Sequence, residues 1–581
     1  MRVTKEFPCS KQWDNWSTDP QRIAPNTDIR FDLAISPMED FDIVIYGSTS
    51  GAVAAAIQAA RLGRLVALVS PQEHIGTPGF PSSTTHDAPL GGIQVNGLGA
   101  TDIDNQAEFQ NSTTLGGLNL ELHQRISAHY GRLDRLNEVV EKKLKDPNVW
   151  RFEAKVAEKV IKEWLVEYSS IHIIKSRLKE HDAVEKDGSR IKAIRLESGQ
   201  TVTGKIFVEA SYEGDLLSAS SISWTLGRES ASNYSELLAG IRNKTLYCQI
   251  NVNLDPYVLP GNPSSGLLYG ISDEAFGTPG DGDSHLQAYS YRVPLTDDAD
   301  NRVPFTKPAG YDPAHYELHR RFIGAGGEMY TPQKRVPGGK TDLIGSEGAL
   351  STDLLGRNDE WPVASVERRK EILEDTARFT KGLFWFLATD EAVPIHYRRK
   401  WSKFGYCRDE FADNGHFPRE LYVRDARRMI SDYLVTEATA SENGAPQVSD
   451  PVAVAYWPTD THSVRRILRD GKVHNEGFIF KDGHRWRPFG IAYRALVPKR
   501  AEAVNFITAT CPSSSHVGYG AVRLEHHFYA LGQVCANACD IALEEDLAVQ
   551  DVPYKLLRDR LVRQGVIVDA SVVGVPSFGA E

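Results

Sequence analysis

The chain has 581 residues, 41% of them apolar and 25% charged, the balance of an ordinary globular protein. Its formal net charge of -11 at pH 7 argues against nucleic acid as a partner, because phosphate contact needs concentrated lysine and arginine. No apolar run is long enough to span a bilayer and Met1 to Pro20 has no hydrophobic centre, so the sequence reads as a soluble cytoplasmic protein without a membrane partner.

Residues 1–40 are polar and proline-containing and read as an arm. Phe41 to Ser70 reads as strand, glycine turn, helix and second strand: Ile43 to Ile45 is a doubly buried strand, Ala52 to Leu62 a helix almost free of polar side chains, Gly63 its end, and Leu65 to Val69 the returning strand. Such a β-α-β unit aims the free N–H groups of its helix at an anion, the geometry of a dinucleotide cradle. The turn Gly47-Ser48-Thr49-Ser50-Gly51-Ala52 departs from G-x-G-x-x-G: Thr49 stands where a glycine lets backbone approach a pyrophosphate, and Ser70 stands where an acid holds a ribose.

Gly97-Leu98-Gly99 with Thr101-Asp102 forms a second glycine-rich loop. Helical spacing follows over Leu118 to Tyr130 and Ala154 to Tyr168. Strands are expected at Ile171 to Ile174, in a hairpin around Lys186-Asp187-Gly188, and at Ile206 to Ala210. Beyond Ser211 the chain turns aromatic and proline-rich, with a strand expected at Gln287 to Val293 and helices at Val366 to Leu387 and Glu420 to Leu434. Ala503 to Thr510 reads as a strand and Ala521 to Leu543 as a long helix. The six cysteines, Cys9, Cys248, Cys407, Cys511, Cys535 and Cys539, include no C-x-x-C pair, so neither a disulfide framework nor a metal site is expected.

The expected fold class is α/β with an α+β second domain. A nucleotide-binding first domain spans 41–215 and is closed by 500–545, so that it is discontinuous; 216–499 forms a substrate-binding domain with a mixed or antiparallel sheet and helices, and 546–581 is an extension.

Several blocks in fixed order carry a resemblance: Gly97-Leu98-Gly99, Trp150 to Glu153, Glu209-Ala210-Ser211-Tyr212-Glu213-Gly214-Asp215, Gln287 to Arg292, Lys340-Thr341-Asp342, Asp413-Asn414-Gly415, Leu421 to Arg424, and Ser515 to Gly520 running into Arg523 and Glu525. The chain resembles the FAD-dependent oxidoreductases related to glutathione-reductase-type flavoproteins, in the branch labelled xanthan-lyase-like. The resemblance implies a Rossmann-type domain holding FAD non-covalently. Its contacts would come from Gly47, Ser48, Thr49, Ser50, Gly51, Ala52 and Ser70, from Gly97, Gly99 and Asp102, and from Gly520 and Arg523 beside a helix that starts near Gly520 and offers N–H donors to the flavin.

His516 lies just before that helix and is the first choice of base; packing in a turn is the competing reading. Tyr291 and Arg292 could line the substrate side of the flavin, or Tyr291 could be core. His462 reads as a base or as an exposed loop residue. Arg424 suits an anionic substrate or a pair with Asp425 or Glu420. The leading function is hydride transfer between a small organic substrate and flavin N5. A redox-neutral isomerisation or elimination and a non-catalytic binding protein are the alternatives. No second phosphate turn suits a nicotinamide-binding domain.

Overall fold

The computed structural model describes residues 40–71, 115–144, 146–345, 348–480 and 483–573. The expected arm and the sites at Gly97, Gly99 and Asp102 lie outside these residues. The leading strand β1 (Asp40–Tyr46), helix α1 (Ser50–Arg61) and strand β2 (Val66–Ser70) occupy the positions expected from the sequence. Helices α2 (Gly117–His129) and α3 (Ala154–Val166) precede strands β3 (Ile171–Lys175), β4 (Val184–Asp187), β5 (Arg190–Arg195) and β6 (Thr201–Glu209).

These strands pair in the order β3-β2-β1-β6-β5-β4. The β3, β2, β1 and β6 pairings are parallel, and β4 and β5 form an antiparallel hairpin on β6. The two-residue period explains why this sheet is covered on both sides. Ile43, Ile45, Val66, Leu68, Ile206 and Val208 face one core with α1, whereas Val44, Tyr46, Ala67, Val69 and Phe207 face the other.

The chain then builds an antiparallel five-stranded sheet from Lys334–Val336, Lys340–Thr341, Leu295–Thr296, Gly405–Cys407 and Arg302–Pro304, in that spatial order. Helix α4 (Val366–Thr389) lies in the chain between Lys340–Thr341 and Gly405–Cys407, with Ser365 capping it by accepting from Arg368 N at 3.2 Å. Short strands β7 (Asp460–Thr461), β8 (Arg465–Arg469) and β9 (Lys472–Glu476) come next. The chain returns to the first sheet through β10 (Phe506–Thr508), which pairs parallel to the C-terminal half of β6. Helices α5 (His516–Val522) and α6 (Glu525–Glu544) close this layer.

Three expected elements differ. Gln287 to Val293 is an extended segment held by isolated bridges from Ser290 to Tyr422 and from Val293 to Leu343, not a sheet strand. Glu420 to Leu434 is not a helix: Leu421 to Met429 is buried throughout, with a bridge at Tyr422 and a short strand at Arg428–Met429, and a helix there would have presented its three arginines to solvent on one face. The single helix expected from Ala521 breaks at Leu524, whose backbone is extended, and α5 begins five residues earlier than expected, at His516.

Candidate active site

The start of α1 carries the nucleotide-turn residues. Gly47 has φ +135°, and a Cβ on it would lie 2.0 Å from the Ala210 carbonyl oxygen, so this glycine is required by the approach of β6. Thr49 is the N-cap: its Oγ1 accepts from Ala52 N at 3.3 Å and donates to Ala210 O at 2.8 Å. The departure from the glycine pattern therefore holds the turn together. Gly51 and Gly532 serve the packing of α1 on α6, since a Cβ on Gly532 would come within 2.1 Å of Gly51 O.

The first residues of these two helices meet. Ser50 Oγ donates to Glu525 Oε2 at 2.5 Å, and Tyr212 Oη donates to the other carboxylate oxygen. Ser48 Oγ is buried without a hydrogen-bond partner, and the Ser50 and Gly51 N–H groups have no acceptor among the described residues. These orphaned donors fit an anion at the helix start, and an anion, the Glu525 carboxylate, already stands beside them. Ser70 ends β2 and is buried, with its carbonyl accepting from Ser176 N at 3.0 Å.

The end of β6 supports this junction. Glu209 accepts from Ser211 N and Oγ, each at 2.7 Å, and from Leu217 N at 2.8 Å, and burial pushes its carboxyl up to about 7. Asp215 is pulled the other way. Burial opposes its ionisation, but Arg369 and Arg427 more than offset that and bring it down to about 2.

A second cluster forms around Tyr422. The guanidinium groups of Arg292 and Arg424 each lie 5.1 Å from its ring centroid, and Arg523 Nη1 is 3.4 Å from its hydroxyl. Arg292 pairs with Asp342, and Arg523 Nε donates to Asp460 O at 2.8 Å. Arg424 pairs with Asp353 at 3.0 Å, rather than with the expected Asp425 or Glu420. Asp353 Oδ2 also lies 2.7 Å from His462 Nδ1. Burial and the nearby Arg424 charge lower the His462 pKa, whereas Asp353 stays below the ordinary carboxylate range because Arg424 and His462 outweigh its burial. His462 is buried, which sets aside the exposed loop residue expected as one alternative. Its Nε2 makes no hydrogen bond among the described residues.

His516 connects to the same cluster. His462 N donates to Gln287 Oε1 at 3.0 Å, and Gln287 N donates to Asp425 Oδ1 at 3.1 Å. Asp425 Oδ2 is 3.4 Å from His516 Nδ1, within ion-pair reach, yet neither atom completes a hydrogen bond. The helix expected to offer free N–H groups near Gly520 does not do so there. Gly520 lies inside α5, where a Cβ would meet the methyl groups of Thr459 and Thr461 at 2.9 Å, while the start of α5 is occupied by Ser515 as cap and by Glu229, which accepts from His516 N at 2.8 Å.

Tyr291 stands apart in the core, its hydroxyl donating to Leu373 O at 3.1 Å and its ring 4.8 Å from that of Phe417. Lys340 has a structural role: its Nζ lies 2.6, 2.8 and 2.6 Å from Glu153, Asp409 and Glu410, filling the one acidic trio among the described residues close enough to hold a cation. Asp353, Gln287 and Glu525 are the site residues that sequence reasoning left without a role. Asp353 lies in a loop without a motif, whereas Glu525 had a visible signal as the first acid of an apolar helix.

A sequence profile described as FAD dependent oxidoreductase matches residues 42–561. The chain belongs to this family. FAD is its cofactor. A comparison with curated proteins found no match. Among solved structures, the chain is similar to PqsL, a probable FAD-dependent monooxygenase from Pseudomonas aeruginosa, at 13% identity over 32% of this chain and 48% of that one, with a TM-score of 0.19. It is similar to p-nitrophenol 4-monooxygenase PnpA from Pseudomonas putida DLL-E4 at 9% identity over 33% and 46%, with a TM-score of 0.20. A GidA-related protein from Thermus thermophilus matches at 13% identity over 34% and 75%, with a TM-score of 0.17. The matches to PqsL and PnpA cover less than half of those chains. Among the described residues, no helix is long and apolar enough to cross a membrane.

Proposed function

We propose that the protein is an oxidoreductase that removes two electrons and two hydrogens from a C–OH or C–NH group of a small organic substrate, with His462 as the proton acceptor. The observation that carries this reading is the Asp353–His462 pair. An Asp353 carboxylate that accepts Nδ1–H fixes the ring and leaves the Nε2 lone pair available, and a lowered pKa keeps that nitrogen unprotonated near neutral pH. His462 thereby takes precedence over His516, whose ring nitrogens have no hydrogen-bond partner to orient them.

Bound FAD would supply the two-electron acceptor for the substrate hydrogen. Ser48 Oγ and the N–H groups at the start of α1 would hold its pyrophosphate without a covalent link. Asp353 holds His462 in position, and Arg424 beside that pair suppresses its protonation. The proton from the substrate hydroxyl or amine goes to His462 Nε2, and the product is the carbonyl or imine. The return of β10 to the sheet of β1, β2 and β6 supports a discontinuous Rossmann-type domain of the glutathione-reductase type.

The test is anaerobic mixing of the yellow protein with a panel of small alcohols, hydroxy acids, amines, NADH and NADPH, following loss of the flavin's visible absorbance. An organic substrate should reduce it and the nicotinamides should not. With that substrate, His462→Gln should slow reduction by about 10²- to 10⁴-fold at unchanged FAD content. Wild-type kinetics in that variant would remove His462 from the proton transfer.

A further inference from the structure

The single Asp353 charge serves two guanidinium groups, those of Arg424 and Arg466. The carboxylate is bonded by Arg424 and His462, and its charge acts also on Arg466 of β8. Arg466 is only 7% exposed. Its Nε donates to Asn475 Oδ1 at 2.8 Å and its Nη2 to Gly348 O at 3.3 Å, both neutral acceptors. Its Nη1 makes no hydrogen bond among the described residues and faces the bare backbone of Gly270, where a Cβ would come within 3.7 Å.

Other arginines buried to the same degree have a carboxylate. Arg228 has Asp283 and Glu476, Arg292 has Asp342, Arg428 has Glu229, and Arg465 has Glu476. Among the described residues Arg466 has none within ion-pair distance. A buried guanidinium is expensive unless an opposite charge meets it, and within the described residues Arg466 has only the Asp353 charge that Arg424 already pairs with.

An independent observation concerns hydrogen bonds rather than charge. Thr352 Oγ1, Gln287 Nε2, Ser463 Oγ and Arg424 Nε are all buried and without a partner. Each adjoins the same pair: Thr352 precedes Asp353, Ser463 follows His462, Gln287 accepts from His462 N, and Arg424 bonds Asp353. All four can donate, so acceptor oxygens on a ligand would satisfy every one of them.

We propose that the substrate is a carboxylate rich in oxygen, of the hydroxy-acid or sugar-acid class, whose carboxylate pairs with Arg466. This rests on reading the Asp353–His462 pair as the reaction site. Calorimetry on the yellow holoprotein tests it, with D-glucuronate against D-glucuronamide and lactate against lactamide at equal ionic strength. At least one acid should bind tighter than its amide by about tenfold or more, and Arg466→Gln should reduce it to the amide's affinity at unchanged FAD content; Arg466→Lys should retain part of the preference. Equal affinity of acid and amide in the wild type, no binding by either acid, or an undiminished preference in Arg466→Gln would each overturn the proposal. Should Arg466→Gln fail to fold, the wild-type pairs and Arg466→Lys decide. A colourless protein would refute the oxidoreductase reading itself, whereas a yellow one without acid preference refutes only the carboxylate.

Discussion

In the proposed FAD site, Glu525 stands where a second negative charge is unfavourable. Its carboxylate accepts from Ser50 Oγ and Tyr212 Oη at the start of α1, where a pyrophosphate would bring further negative charge. Two unit charges about 5 Å apart repel by roughly 3 kcal/mol at an effective dielectric near 20, and solvent lowers that. Glu525→Gln keeps the shape and an acceptor for either hydroxyl while removing the charge. FAD should therefore bind roughly tenfold tighter, read from quenching of FAD fluorescence by the apoprotein. Unchanged or weaker binding in a variant that melts like the wild type would mean that Glu525 does not face the pyrophosphate. Thr49 makes the complementary point about reading motifs: measured against the glycine pattern it is a defect, but the fold uses its hydroxyl twice, as cap to Ala52 N and as donor to Ala210 O.

Helices α1 and α6 pack directly on each other beside the start of α1, where the proposed pyrophosphate site lies. They approach closely because Gly532 lies against the Gly51 carbonyl, while Gly51 itself lies against Ala509 and the Phe528 carbonyl. Gly→Ala inside a helix ordinarily gains about 1 kcal/mol from propensity, but a methyl 2.1 Å from Gly51 O forces backbone apart, and overpacking of this kind costs about 1–3 kcal/mol or more. Gly532→Ala should lower the melting temperature and release FAD on gel filtration. Gly63→Ala is the control: its Cβ meets nothing within 4 Å, so only the strain of φ +81° is felt, about 1 kcal/mol, with FAD retained. Equal FAD loss in both variants would contradict the helix-contact argument. The β-α-β unit was legible because a two-residue period, an apolar helix and a glycine turn are local signals. Glu420 to Leu434 was not, because Arg424, Arg427 and Arg428 at helical spacing mimic a solvated face, and their partners Asp353, Asp215 and Glu229 are remote in sequence. The same remoteness hid the site: His462 and Asp353 are 109 positions apart, and no spacing rule connects them.

At the scale of the whole molecule, buried ionisable groups set how stability changes with pH. Burial holds His123, His319 and His527 down to about 3 and His526 well below its ordinary value, and the ring nitrogens of His123, His319 and His526 have no hydrogen-bond partner. These four stay neutral in the fold while the unfolded chain takes up protons below about pH 6.5, so each costs stability progressively on acidification, by about 1.4 kcal/mol per pH unit. Glu209 and Glu236, raised by burial to about 7, and Glu420, raised by burial to about 8, act in the opposite sense. Their contribution is full below the unfolded carboxyl value near 4.5 and is lost as pH rises through their folded values. Between about pH 6.5 and 4.5 the three carboxylates therefore offset most of the four histidines, leaving a shallow decline. Below about pH 4.5 the carboxylates are protonated in both states and contribute no further change, the histidines continue, and Asp215, with its low folded value of about 2, begins to add to the loss. Melting temperatures of the holoprotein by circular dichroism, from pH 7 to 3.5 at constant ionic strength, should show a gentle slope that breaks near pH 4.5 into a fall several times steeper. An even decline through that range would mean that the buried histidines do not remain neutral in the fold.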